Sequence, residues 1–121
     1  MTTLDAETIR NIRAVDGTGD VLRRIAGLFA RDSPAALKDA VKAVGTGDAE
    51  TFCKAVHGLK GSAATVGGVR LAEVAADLER LAARGILPAA GDLELLSATL
   101  DATLAEMGTD ILATEARVNL G

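Results

Sequence analysis

The chain has 121 residues, of which 49% are apolar but only 2% aromatic, and a formal net charge of −4. That length suits one domain, residues 1–121, with a real core, and an apolar fraction made mostly of Ala, Leu and Val favours helix over strand. No Lys/Arg stripe is present to neutralise phosphates, which excludes a nucleic-acid partner, and a single cysteine, Cys53, excludes an internal disulfide. The longest uncharged stretch, Gly61 to Val69, has nine residues and cannot span a bilayer. Met1 to Glu7 is polar and acidic, unlike a secretory leader, so the expected location is cytoplasmic, away from membranes.

Asp5 is a suitable N-cap for a short first helix carrying Leu4, Ile9 and Ile12. The string Asp16 to Asp20, DGTGD, reads as a turn. A second helix follows from about Gly19 to Val44, with Leu22, Ile25, Leu28, Phe29, Leu37, Val41 and Val44 at helical spacing. Pro34 predicts a kink near Asp32 to Pro34; two helices joined at Ser33-Pro34 are the alternative. A third helix is expected from about Asp48 to Val66, stopped by Gly67-Gly68. The fourth runs from about Val69 to Arg84 with Leu71, Val74, Leu78 and Leu81, before Gly85 and Pro88 close a loop. The fifth, about Ala89 to Val118, repeats Leu93, Leu96, Leu100, Leu104, Met107 and Ile111. The fold class is therefore all-α: an antiparallel four-helix bundle, with the short N-terminal helix packed across one end.

The third helix holds the lone histidine, His57, with Gly58 and Gly61 close by. Each glycine inside a helix costs about 1 kcal/mol relative to alanine. Counting about 100° per residue, Phe52, Val56, Leu59, Ala63 and Val66 lie within about 40° of one line, the core face. His57 falls about 140° from that line and should be exposed. On the same face are Cys53, Lys60 and Gly61, one turn away, and Ala64, two turns away. A large residue at Gly61 would cover the imidazole, so its absence suits close approach by another macromolecule. Gly58 lies further round and has a weaker explanation on this count.

The string His57 to Gly67, HGLKGSAATVG, resembles the motif of histidine-containing phosphotransfer domains, and Leu71, Leu78 and Glu79 fall where such domains carry a Leu and a Leu-Glu pair. The match is dense from about Phe52 to Glu79 and rests elsewhere on helix order and length. Gly58 stands where a larger residue is common, and Ala63 where a serine is. The resemblance implies that His57 accepts a phosphoryl group from one receiver-domain aspartate and passes it to another. It also implies that Lys60 steadies the phosphoryl group and that Gly61 makes room for the receiver. Cys53, Gly61 and Ala64 form the centre of the expected partner-binding patch, with Arg23, Arg24 or Arg31 of the second helix at its edge. The implied donor is a receiver, on a hybrid histidine kinase, and the Mg²⁺ is the receiver's. A monomer is implied as well.

No cofactor or metal site is read from the residues, since Cys53 and His57 make only half a zinc site. The string Gly58 to Ser62, GLKGS, has lysine and glycine in the wrong order for a nucleotide-binding loop. The chain is thus expected to be a phosphocarrier, not an enzyme, without kinase activity of its own. A hydrolase would need a second catalytic group beside His57, and none sits one turn away. The alternative is a bundle that binds receiver or kinase domains without phosphotransfer.

Overall fold

The computed structural model describes residues 4–16 and 19–108. Five helices follow one another: α1 (Ala6–Asp16), α2 (Asp20–Gly45), α3 (Ala49–Thr65), α4 (Val69–Ala83) and α5 (Ala90–Met107). Helix α3 packs most extensively on α4 and then on α2; α5 closes the ring against α4 and α2. Short connections force neighbours to run antiparallel, which gives the expected four-helix bundle. The part of the fifth helix expected beyond residue 108 lies outside the described residues. Among the described residues no helix is long and apolar enough to cross a membrane.

Helix α2 runs unbroken through Pro34, which decides against two separate helices. Proline has no N–H to give to the carbonyl one turn back, but Pro34 is exposed, so water can reach the turn it disturbs. The apolar spacing of α2 is broader than its buried face. Leu22, Ala26, Phe29, Ala40 and Ala43 are buried, whereas Leu28 and Val41 are 45% and 48% exposed. Alanines let helices approach closely, so the core is thin there, and larger residues are pushed to the rim.

Helix α3 starts at Asp48, whose carboxylate accepts from the Thr51 amide at 3.0 Å and the Thr51 hydroxyl at 2.5 Å. The core stripe is the one the helical count gives: Phe52, Val56, Leu59, Ala63 and Val66 are all at most 1% exposed. Gly67 then takes a positive φ of 78° and ends the helix. Gly68 is needed for a different reason. A Cβ there would lie 3.3 Å from both the Ala63 carbonyl oxygen and Thr103 Cγ2. The same turn anchors the N-terminal segment. The Asp5 amide donates to the Gly67 carbonyl at 2.6 Å, and Leu4 pairs with Gly68 as an isolated bridge. Helix α1 then packs on α2.

Candidate functional site

Because α3 commits one face to the core, its opposite face must present His57. The imidazole is 69% exposed. It is not loose. Helix α4 packs along α3, and its half-buried Glu79 reaches across: Oε2 bonds His57 Nδ1, while Oε1 accepts from Lys60 Nζ at 2.5 Å. One carboxylate thus holds both of the α3 side chains singled out in the sequence, His57 and Lys60. An ionised carboxylate can only accept, so His57 Nδ1 carries the proton, and in the neutral ring the lone pair is on Nε2. Nε2 is the ring nitrogen that the bond to Glu79 leaves unengaged.

The charge of Glu79 is well supported. The Lys60 ammonium holds its carboxyl below the usual carboxylate range; partial burial works against this, and the bond to His57 adds to it. The arrangement is an exposed nucleophilic nitrogen, a fixed counter-charge at the other end of the ring, and a cation three residues on. It has what phosphoryl acceptance on nitrogen requires.

The other expected residues divide. Gly61 and Ala64 are exposed on the same stretch of α3, and a Cβ at Gly61 would meet nothing within 4 Å. Cys53 is half-buried, and its thiol lies 3.7 Å from the Glu79 carbonyl oxygen. It braces the seam between α3 and α4 beneath the site. Arg23 is paired with Asp20 and Arg31 with Asp32, each on its own helix.

Glu79 is the group that one-turn spacing on α3 could not find. It comes from another helix, twenty-two residues on in the chain. The signal was the Leu78-Glu79 pair: a buried leucine followed by a carboxylate at the edge of the same helix face. Among the described residues no cluster of three or more His, Cys, Asp and Glu side chains could hold a metal ion.

Fold and site together define a helical bundle that displays one carboxylate-anchored imidazole to visitors. The Hpt domain family matches residues 24–111, and the chain belongs to that family. Its members are phosphocarrier modules that relay phosphoryl groups through a histidine in phosphorelays and work with receiver domains of two-component systems. The crystal structure of histidine-containing phosphotransfer protein B (HptB) from Pseudomonas aeruginosa PAO1 is similar with a TM-score of 0.82. The likeness covers 92% of this chain and 96% of that one at 22% identity, and is a likeness of fold. No match is found among curated proteins.

Proposed function

We propose that His57 is the phosphoryl carrier, accepting the group from the aspartate of one receiver domain and delivering it to the aspartate of another. The observation that carries this reading is the Glu79 bond to Nδ1, which leaves Nε2 as the exposed nucleophile. The Nε2 lone pair attacks phosphorus, an N–P bond forms, and the P–O bond to the aspartate breaks with its electron pair leaving on the carboxylate. The ring then carries positive charge with the proton still on Nδ1, and the Glu79 carboxylate balances it. No proton has to leave, so the step reverses readily toward a second aspartate.

Lys60 supports the same step from the other side. Its ammonium sits on Glu79 before transfer, and in this reading it shares itself with the phosphoryl oxygens afterwards. Gly61 and Ala64 leave the approach clear, and Cys53 contributes to the patch only at its exposed edge. In this reading the chain is a monomeric cytoplasmic carrier without kinase activity of its own. The donor receiver sits on a hybrid histidine kinase, and the receivers bring the Mg²⁺.

Receiver domains phosphorylated with acetyl phosphate, offered to the protein and to His57→Gln, test this. Acid-labile, base-stable label on the wild type alone is expected. Equal label on both would overturn it, and binding of receivers without any label would favour an interaction module.

A further inference from the structure

One turn from His57 on α3 lie Cys53 and Lys54 before it and Lys60 and Gly61 after it. The two lysines stand on opposite sides of the histidine, each about 60° round the helix from it at about 100° per residue. Their charges are held differently. Lys60 is half-buried on the α4 side, and Glu79 meets its ammonium at 2.5 Å. Lys54 is on the α2 side, where it lines a hollow with Lys42 and Asp39, which carry opposite charges, and with Asp48 and Thr51. The Asp48 carboxylate is committed to the Thr51 amide and hydroxyl. The Lys54 side chain is 77% exposed, and its carboxylate partner is Glu50 at 3.3 Å, itself 82% exposed. A surface pair of this kind contributes little, so the Lys54 ammonium exchanges readily onto another anion.

Resting on the phosphocarrier reading, we propose that Lys54 is a specificity-determining residue that draws the phosphorylated form of the donor to His57. The donor's aspartyl phosphate is an anion, and the chain it approaches has a formal net charge of −4. A cation beside the imidazole therefore decides whether the last approach is attractive. Distance selects which charges act there. Along the helix axis Lys54 is about 4.5 Å from His57 and Glu50 about 10.5 Å, at about 1.5 Å per residue. The Debye length at physiological salt is about 8 Å, so the lysine acts within it and the glutamate is largely screened. Lys60 cannot attract from a distance, because Glu79 offsets its charge until contact is made. Once the group has moved to His57, the donor has lost the charge that drew it. Lys54 thus favours loaded donors over spent ones, without any change in the chemistry at the ring.

The test times transfer from a phosphorylated receiver to wild type, Lys54→Gln, Lys54→Arg and Glu50→Gln. At low salt the second-order rate constant is expected to fall about fivefold in Lys54→Gln, to stay at the wild-type level in Lys54→Arg and to rise in Glu50→Gln. In about 1 M salt, where the Debye length is about 3 Å, the four proteins should converge. The first-order rate at saturating donor, and inhibition by unphosphorylated receiver, should change by less than about twofold. Equal low-salt constants for wild type and Lys54→Gln would overturn the proposal. So would a loss that persists undiminished at high salt or appears equally in the first-order rate, since Lys54 would then act in the chemical step. An equal loss of affinity for unphosphorylated receiver would make Lys54 a general docking contact and would also overturn it. If the wild type takes no phosphoryl group from any receiver, the carrier reading fails and this role with it.

Discussion

Glu79 holds His57 from a different helix, and the same carboxylate holds Lys60. An imidazole on an exposed helix face would otherwise rotate freely about its side-chain bonds. The bond to Nδ1 fixes the tautomer and the ring together, so the entropy of positioning is met by the fold before a partner arrives.

Replacing Glu79 separates its two contributions. Glu79→Gln keeps an acceptor for Nδ1 but loses the charge that balances the phosphorylated ring, and transfer is expected to slow about tenfold, consistent with the loss of one charged hydrogen bond. Glu79→Ala loses both and should be slower still. Single-turnover transfer rates check this; equal rates in all three proteins would contradict it.

Stability should respond to acid through the same carboxyl. Lys60 lowers its pKa in the folded state from the ordinary 4.5, so the folded protein binds this proton less readily than the unfolded chain. The stabilisation it gives is therefore present in full above about pH 4.5 and is lost as pH falls through the lower, folded-state value. In denaturant titrations the difference between wild type and Glu79→Gln should shrink over that acid range. A difference that grows on acidification would contradict the assignment.

Lys60→Ala removes the cation without touching the ring. Phospho-His57 should then form more slowly and decay faster, by about tenfold, as expected for one charge-assisted hydrogen bond. Unchanged rates and lifetime would remove lysine from the mechanism.

Gly61 tests the open approach against helix stability. Gly61→Ala fits the empty space there and should raise stability by about 0.5–1 kcal/mol. Gly61→Leu should also fold, yet lose transfer from receivers. Thermal melts and transfer assays on the two variants read the two effects apart; undiminished transfer in Gly61→Leu would contradict a cleared approach.

The core face of α3 was legible residue by residue, because Phe52, Val56, Leu59, Ala63 and Val66 leave only one way to bury the helix. Phe52→Ala should accordingly cost about 3–5 kcal/mol. The exposure of His57 followed from the same count. Glu79 was legible only as a motif position, since its reach depends on how α4 is rotated against α3, and periodicity within one helix says nothing about that. The outward turn of Leu28 and Val41 was hidden for a related reason. Alanine carries little hydrophobic signal, and the buried Ala26, Ala40 and Ala43 shift the true face of α2 away from its larger residues. That Gly58 borders a cleft could not be read from α3 alone, because the cleft exists only once α2 is in place.

The central claim is that the exposed Nε2 of His57 takes the phosphoryl group while Nδ1 stays on Glu79. ¹⁵N NMR of the imidazole after phosphorylation by a receiver measures this directly. The account predicts phosphorus coupled to Nε2 and a proton retained on Nδ1; phosphorylation at Nδ1, or at any residue other than His57, would contradict it.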